Sequence, residues 1–322
     1  MADRKTVILH HDRTADMADT LRGDYPDLEV LECATYEDLP GMIARHQPDA
    51  VYTVRFAGTA NYPRDALFAD DGPAWIANGG VGTDHFGSWD ATRTTVTNGA
   101  GVAAGMMAEY IIGGFLHFTL DIPGLQADKA ARVWRNRTVR PLAGQTLLIV
   151  GLGHTGQALA LRAKALGMQV MGTRARPRPM EHVDEIAPAS DLARLLPRAD
   201  FIAVCTPLTP ATRGLVGETE IAAMKPGVIL ADVSRGGVID QTALAQAMRA
   251  GHVGGAALDV FEVEPLPGDS PLWDLPNLVI SPHCSAVHAG WEEASLHLFR
   301  KNLDRWMHNE PLVNIVDPDR GY

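Results

Sequence analysis

The sequence feature that most restricts the fold is a glycine-rich turn that directly follows an apolar run. Residues 146–150 read TLLIV and the next six read GLGHTG, which places glycines at 151, 153 and 156. Apolar residues then recur with helical spacing over residues 154–166. Glycines at these positions permit a tight turn, close approach of a ligand to the backbone, and close packing of helix on strand. The sequence therefore predicts a doubly wound α/β domain.

The same turn predicts a bound dinucleotide. Gly151, Gly153 and Gly156, with His154 and Thr155 among them, would place the ligand phosphates at the N-terminus of the following helix. Backbone amides without helical partners and the positive end of the helix dipole favour anions there. His154 is a candidate cofactor contact, although a solvated residue is an equally ordinary role for it.

The end of the next strand bears on the choice of dinucleotide. An acidic residue there would bind the ribose 2′-hydroxyl of NAD, but this strand runs through Gly172 and Thr173 into Arg174, Ala175 and Arg176. Two arginines in place of a carboxylate favour a 2′-phosphate, so the sequence predicts NADP(H). If these arginines are only solvated surface residues, NAD(H) would be accepted, and this alternative stays open.

Strand-like and helical segments alternate along the whole chain, which is typical of parallel sheets covered by helices. Because 322 residues exceed the usual size of one core, two domains are expected. We expect a Rossmann-type domain over residues 101–285 and a second, flavodoxin-like α/β domain built from residues 1–100 and 286–322. The predicted strands are 6–10, 28–31, 50–54, 94–97, 146–150, 169–172, 201–205, 228–233, 256–260 and 278–280, and the predicted helices are 103–119, 154–166, 221–224, 241–250 and 291–307.

Three chemically suggestive residues follow successive predicted strands. Arg235 follows the strand at 228–233, Glu264 follows the strand that carries Asp259, and His283 follows the last strand. A guanidinium binds a carboxylate through two parallel hydrogen bonds, and a histidine paired with a carboxylate can exchange a proton with a neighbouring oxygen. This trio predicts hydride transfer to the carbonyl of a 2-keto acid. Each residue alone has a structural explanation, but together they favour catalysis.

Composition narrows the class of partner. The formal net charge of −11 disfavours binding to nucleic acid or to an anionic membrane. The N-terminal residues show no signal-like apolar core, and no apolar run reaches the length of a membrane span. The three cysteines, at positions 33, 205 and 284, lack metal-ligand spacing. We therefore expect a reduced, cytoplasmic protein with no metal site.

Five segments together resemble the D-isomer-specific 2-hydroxyacid dehydrogenase family. They are VGLGHTGQALALRAKALGM, CTPLTPATRGLV, MKPGVILADVSRGGVID, ALDVFEVEP and LPNLVISPHCSA. Their order matches the family throughout the cofactor domain. The resemblance implies NAD(P)-dependent oxidation and reduction of small 2-hydroxy and 2-keto acids. It also implies a homodimer joined through the cofactor domains, with Trp134 in the dimer arm.

The resemblance also implies residue roles. Arg235 would orient the substrate, Glu264 would pair with His283, and His283 would be the acid/base. Asp259 would meet the nicotinamide carboxamide. Further cofactor contacts are expected at Thr206, Pro207, Val233, His283 and Ala286. The substrate carboxylate would be bound by loops of the first domain, with candidates Arg55, Ala57, Gly58, Gly80 and Val81.

The sequence departs from the family pattern at two positions and is compatible with more than one function. Asp232 stands where the family often has Asn, and Ala286 stands where it usually has Gly. Arg174 and Arg176, which follow the predicted strand 169–172, are similar to the arginines of NADPH-dependent glyoxylate and hydroxypyruvate reductases. We therefore expect that activity. The alternatives are the same chemistry on larger 2-keto acids or phosphite, and a dinucleotide-sensing protein of the corepressor type. Formate oxidation is disfavoured because the formate enzymes carry Gln in place of Glu264.

Overall fold

A computed structural model describes residues 4–54, 61–318 and 320. The chain divides into two compact units. We call residues 1–102 and 289–322 the terminal unit, and residues 103–288 the central unit.

Both units alternate strands and helices. The strands are β1 (Thr6–His10), β2 (Glu29–Cys33), β3 (Ala50–Thr53), β4 (Trp75–Asn78), β5 (Thr95–Thr97), β6 (Thr146–Val150), β7 (Gln169–Thr173), β8 (Glu185–Ala187), β9 (Phe201–Val204), β10 (Val228–Asp232), β11 (Val253–Leu258) and β12 (Leu278–Ile280). The helices are α1 (Ala15–Asp24), α2 (Asp38–His46), α3 (Arg64–Leu67), α4 (Ala104–Thr119), α5 (Ile122–Ala131), α6 (His154–Ala165), α7 (Leu192–Leu195), α8 (Glu218–Ala222), α9 (Gln241–Arg249) and α10 (Trp291–Met307).

The terminal unit is built on a five-stranded parallel sheet with the order β2-β1-β3-β4-β5. Alternate residues of β1 enter different cores: Leu9 packs with Phe299 of α10, whereas Ile8 packs with Leu39 of α2. A sheet covered on both faces explains why β1 and β3 are buried along their whole length. The C-terminal helix α10 therefore completes the core of a unit that the N-terminal residues begin.

The central unit is built on a seven-stranded parallel sheet with the order β12-β11-β10-β9-β6-β7-β8. The strand order reverses between β6 and β9, which is the topological switch point of a doubly wound fold. Leu148 and Val150 face one core, while Leu147 and Ile149 face the core that Phe115 of α4 enters. The predicted α/β class, with two parallel sheets and a Rossmann-type arrangement, is confirmed.

Several elements differ from the prediction. The helix predicted at 221–224 is α8, which begins at Glu218 because the Glu220 carboxylate accepts the Gly217 amide at 3.1 Å and fixes the first turn. Strand β11 begins three residues before the predicted start at 256, since pairing with β10 overrides the low strand preference of Gly254 and Gly255. The strands β4 and β8 and the helices α1, α2, α3, α5 and α7 were not among the predicted elements. Within the described residues, no helix has both the length and the hydropathy needed to cross a membrane.

Candidate active site in the central unit

The glycine turn has the geometry that a phosphate-binding turn requires. Gly151 adopts a φ of +106°, which favours glycine, and a Cβ there would lie 2.8 Å from Cγ2 of Thr206. A Cβ at Gly156 would overlap the carbonyl oxygen of Gly151, so only glycine lets α6 pack this closely. Gly153 stands in an extended conformation directly before α6. The turn therefore exposes the first amides of α6 beyond the carboxyl end of β6.

Other predicted cofactor residues surround this turn. The hydroxyl of Thr206, at the end of β9, is buried and has no hydrogen-bond partner within the part of the chain that the structure describes. His154 is exposed, whereas Thr155 is half-buried and its hydroxyl donates to the sulfur of Met107 at 3.6 Å. Pro207 is exposed beside Thr206. An unpartnered buried hydroxyl beside exposed helix amides fits a polar, anionic group such as a dinucleotide phosphate.

The residues predicted to select the cofactor lie at the end of β7. Thr173 is the last residue of this strand and is buried. The Arg174 amide donates to the Ala187 carbonyl at 3.0 Å, which holds the backbone beside β8, and its guanidinium lies 3.3 Å from the sulfur of Met180. Arg176 is exposed. Two guanidinium groups beyond this strand could bind a 2′-phosphate.

Glu264 and His283 form a hydrogen-bonded pair. Nδ1 of His283 lies 2.8 Å from Oε2 of Glu264, and Oε1 of Glu264 accepts the Phe261 amide at 2.9 Å. The imidazole remains 42 % exposed. Its Nε2 contacts no hydrogen-bonding group of the described residues. This arrangement fixes the ring through Nδ1 and leaves Nε2 for a ligand.

The turn that carries His283 is held by Asp259, which is almost fully buried. One carboxylate oxygen of Asp259 accepts the Ser281 hydroxyl and the Cys284 amide, and the other accepts the Ser285 amide at 3.0 Å. The Tyr110 hydroxyl contacts the Ser281 hydroxyl at 2.7 Å, and burial raises the pKa of Tyr110 to about 12. Asp259 therefore orients the residues on both sides of His283, while its predicted contact with nicotinamide stays a prediction.

Arg235 stands on the turn that follows β10. Its side chain is half-buried, and Nη1 donates to the Ser234 carbonyl at 2.8 Å. A Cβ at Gly236 would overlap the Phe261 carbonyl, so the arginine turn and the turn that leads to Glu264 are in close backbone contact. Val233, before this turn, is buried in the core, and Ala286, after the histidine turn, is half-buried.

Asp232 is a buried carboxyl group beneath the arginine turn. It is 1 % exposed; its Oδ1 accepts the Ser234 amide at 2.9 Å and the Ser234 hydroxyl, whereas its Oδ2 has no partner among the described residues. Burial raises the pKa of Asp232 to about 7, and the negative charge of Asp259 acts in the same direction. The carboxyl that stands in place of the family's Asn is therefore largely protonated in mildly acidic solution.

The turns that carry the predicted trio lie on one edge of the sheet. Strands β10, β11 and β12 are consecutive and parallel, so their carboxyl ends meet at the same edge. Arg235 follows β10, Glu264 follows β11 and His283 follows β12. The glycine turn follows the parallel strand β6 at this edge too. Ligands of open α/β sheets bind at this edge, so the position suits a cofactor and a small substrate together.

The predicted substrate loops belong to the terminal unit. The carbonyls of Gly80 and Gly82 accept the side-chain amide of Asn78, and the Val81 carbonyl accepts the side-chain amide of Asn98 at 2.8 Å. Val81 is 44 % exposed. The carbonyls of this segment are therefore used in hydrogen bonds within the terminal unit. Arg55, Ala57 and Gly58 lie outside the described residues.

Sequence reasoning missed several residues of this site. Ser281, Ser285 and Tyr110 support the histidine turn, and Gln241 contacts the segment before Glu264. Their partners are distant in sequence, so only the position of Ser281 immediately after β12 could have suggested a role. Among the residues described, no cluster of three or more His, Cys, Asp or Glu side chains is arranged to hold a metal ion.

The fold and this edge together define a doubly wound α/β protein with a dinucleotide-type glycine turn. The model of the D-isomer specific 2-hydroxyacid dehydrogenase, NAD binding domain, matches residues 112–285. The chain therefore belongs to the D-isomer-specific 2-hydroxyacid dehydrogenase family.

Named relatives support this assignment. A glyoxylate reductase from Thermococcus litoralis is 37% identical over 256 residues, which cover 76% of this chain and 77% of that protein. A D-3-phosphoglycerate dehydrogenase from Methanocaldococcus jannaschii is 33% identical over 296 residues, which cover 90% of this chain and 55% of that protein. The chain thus spans about half the length of the phosphoglycerate dehydrogenases that it matches.

Solved structures agree with the fold. A D-isomer specific 2-hydroxyacid dehydrogenase from Xanthobacter autotrophicus, in complex with NADPH and MES, is 28% identical with a TM-score of 0.83. The match covers 99% of this chain and 100% of that one. The likeness therefore extends over both units, each of which has a counterpart in a dehydrogenase fold.

Proposed function

We propose that this protein reduces a short 2-keto acid to the D-2-hydroxy acid with a reduced nicotinamide dinucleotide. In this proposal the central unit binds the dinucleotide and the terminal unit supplies the substrate loops. The observation that carries the proposal is the His283–Glu264 hydrogen bond of 2.8 Å, at the same sheet edge as the glycine turn. An acid/base pair beside a dinucleotide turn suits the reduction of a carbonyl.

The reaction divides between the cofactor and the chain. The reduced nicotinamide, when bound, supplies a hydride to the carbonyl carbon of the substrate. His283, as imidazolium, donates a proton from Nε2 to the carbonyl oxygen and becomes neutral. Glu264 accepts the Nδ1 hydrogen throughout, which fixes the ring and stabilises the imidazolium before the transfer. One hydride and one proton convert the keto acid to the hydroxy acid, and the reverse direction returns the proton to Nε2.

Arg235 binds the substrate carboxylate in this proposal. A planar guanidinium can donate two parallel hydrogen bonds to a carboxylate, which lysine cannot do. The half-buried position and the short turn limit the number of orientations available to its side chain. Gly80 and Val81 of the terminal unit stay proposed substrate contacts. A substrate held at its carboxylate by Arg235 and at its carbonyl oxygen by His283 would present one face of its carbonyl, and we propose that reduction at this face gives the D-isomer.

We favour NADP(H) as the cofactor. Arg174 and Arg176 follow β7 where a carboxylate would bind the 2′-hydroxyl of NAD. The related protein from Xanthobacter autotrophicus was solved with NADPH. The 2′-phosphate would gain two charge-assisted partners from this chain, so NADPH should bind more tightly than NADH.

Glyoxylate and hydroxypyruvate are the substrates that we propose. The support is the glyoxylate reductase among the relatives and the arginines that favour NADP(H). A panel of keto acids tests this, with glyoxylate, hydroxypyruvate, phenylpyruvate, 2-ketoisocaproate and 3-phosphohydroxypyruvate each offered with NADPH and with NADH. Consumption of the reduced nicotinamide is followed by its absorbance, and phosphite is tested in the oxidative direction.

We expect turnover to be fastest with NADPH and the two smallest keto acids. Faster turnover of phenylpyruvate or 2-ketoisocaproate would contradict the proposed substrate class but agree with the proposed reaction. Tight binding of NADPH with no turnover of any acid would favour the dinucleotide-sensing alternative and contradict the proposal.

We also propose that the chain forms a homodimer through α5 and the segment that follows it. None of the residues of α5 is buried, although it carries Leu125, and Trp134 is 98 % exposed. Val133 and Val139, in the segment that follows α5, are also exposed. An apolar surface of this kind is typical of a protein–protein interface. Sedimentation should give twice the chain mass, and Trp134→Glu should shift the protein toward the monomer.

A further inference from the structure

Gln241 is the first residue of α9 and is buried, with 8 % of the residue exposed. Its Nε2 donates to the Val260 carbonyl at 2.9 Å, and its Oε1 accepts the Glu262 amide at 3.2 Å. Its backbone amide also lies 3.4 Å from Oε1 of Glu262. The carboxamide therefore contacts the backbone on both sides of Phe261.

Only an amide side chain of this length can donate to the Val260 carbonyl and accept from the Glu262 amide at the same time. Val260 offers an acceptor and Glu262 offers a donor, so the side chain must donate at one atom and accept at the other. An ionised glutamate would place an oxygen against the Val260 carbonyl, and methionine would leave both backbone groups without these partners. Buried backbone groups that lose their partners destabilise the segment to which they belong.

Phe261 links this contact to the acid/base pair. The Phe261 amide donates to Oε1 of Glu264, and Oε2 of the same carboxylate contacts Nδ1 of His283. The Phe261 carbonyl is packed against Gly236 on the arginine turn. The peptide groups of residue 261 thus lie between the turn that carries Arg235 and the carboxylate that orients the imidazole.

We propose that Gln241 is a positioning residue, which acts through the backbone of residues 260–262 to hold the Glu264 carboxylate against His283. This inference rests on the proposed function, because the value of a fixed Glu264 comes from the proton transfer by His283. Gln241 itself touches neither the proposed substrate nor the cofactor. Displacement of a supporting segment by about 1 Å can lower a rate by about 100-fold.

The test compares Gln241→Met with Gln246→Met, which makes the same change at an exposed position of the same helix. In Gln241→Met we expect kcat for glyoxylate reduction to fall by about 10- to 100-fold. KM for glyoxylate and Kd for NADPH should stay within about twofold of wild type, because the groups that bind these ligands are retained. The pH profile of kcat should also move, because the carboxylate beside His283 is displaced. Gln246→Met should match wild type in every respect.

Hydrogen–deuterium exchange of the protein without substrate gives an independent readout. The peptide that spans residues 260–264 should exchange faster in Gln241→Met than in Gln246→Met. If wild-type protein reduces no keto acid, the proposed function fails, and the exchange measurement still decides whether Gln241 holds this segment.

Wild-type kcat, an unmoved pH profile and unchanged exchange in Gln241→Met would overturn the inference. A rise in KM with no change in kcat would overturn it as well. If Gln241→Met does not fold, Gln241→Glu takes its place, because glutamate keeps the length of the side chain and an acceptor for the Glu262 amide. We expect Gln241→Glu to lower kcat, and full turnover in that variant would contradict the role assigned to the Nε2 donor.

Discussion

Nδ1 of His283 lies 2.8 Å from Oε2 of Glu264, although 19 residues separate them in the sequence. The two residues follow neighbouring parallel strands, β12 and β11, so the sheet brings them to the same edge. The second carboxylate oxygen is held by the Phe261 amide, which leaves Glu264 little freedom to rotate. The imidazole is therefore oriented by Glu264, which the Phe261 amide holds in turn.

Glu264→Gln should lower kcat while the protein keeps its fold. The amide retains the size of the side chain but removes the negative charge that stabilises the imidazolium. We expect a loss of about 10- to 100-fold, since general acid–base catalysis contributes about 100- to 10,000-fold in total. Steady-state kinetics with Glu218→Gln as the control measures this, because Glu218 is an acid in the first turn of α8, outside the trio. An equal kcat in both variants would remove Glu264 from the mechanism.

Arg235→Lys should weaken the binding of the substrate carboxylate. Lysine keeps the positive charge but loses the two parallel donors, so KM for glyoxylate should rise by about tenfold or more. Kd for NADPH, measured by nicotinamide fluorescence, should change little. Arg249→Lys, on α9, is the matched control. Unchanged KM in Arg235→Lys would show that another group binds the carboxylate.

Arg174→Asp should move cofactor preference toward NADH. The new carboxylate can accept a hydrogen bond from the ribose 2′-hydroxyl and repels a 2′-phosphate. We expect the ratio of kcat/KM for NADPH to that for NADH to fall by about 100-fold or more, equivalent to about 3 kcal/mol. Arg249→Asp controls for the change in net charge. A ratio that stays constant would contradict the role of Arg174 in NADP(H) binding.

Asp232 should make the folded protein less stable as the pH rises toward neutrality. Burial raises its pKa to about 7 from an ordinary value of 3.8, so between these values the folded state binds more protons than the unfolded state. The contribution of Asp232 to stability is therefore present below pH 3.8 and is lost as pH rises to about 7.

Asp232→Asn removes this titration while keeping an acceptor for Ser234. The free energy of unfolding of wild type relative to Asp232→Asn should fall by a few kcal/mol between pH 4 and pH 8, on the scale of about 1.4 kcal/mol per pKa unit. Urea unfolding at both pH values measures it, with Asp269→Asn as the control at an exposed position. A pH-independent difference would show that Asp232 does not titrate in this range.

The central sheet and the dinucleotide turn could be predicted from short stretches of the sequence. The continuous apolar runs of β6 and β10 and the glycine turn after β6 identified the sheet and the dinucleotide turn, because buried parallel strands need apolar residues on both faces. The trio was predicted from its position after strands. Helix α5 was missed because none of its residues is buried, so it lacks the apolar stripe that marks a helix in sequence.

Contacts between distant residues could not be predicted. Gln241 reads as an ordinary helix start, and its role depends on a segment about twenty residues away. Tyr110 lies in an apolar helix and meets Ser281 only because α4 packs on the same sheet. The protonation of Asp232 likewise depends on burial and on the nearby Asp259, neither of which the sequence states.

The most direct test of the account is the rate of glyoxylate reduction by His283→Ala with saturating NADPH, measured beside the affinity for NADPH. We expect kcat to fall by about 1,000-fold or more, because the only proposed proton donor is removed, while Kd for NADPH stays within about threefold of wild type. If His283→Ala reduced glyoxylate at a rate near that of wild type, the proton would come from another group, and His283 could not be the acid/base of this protein.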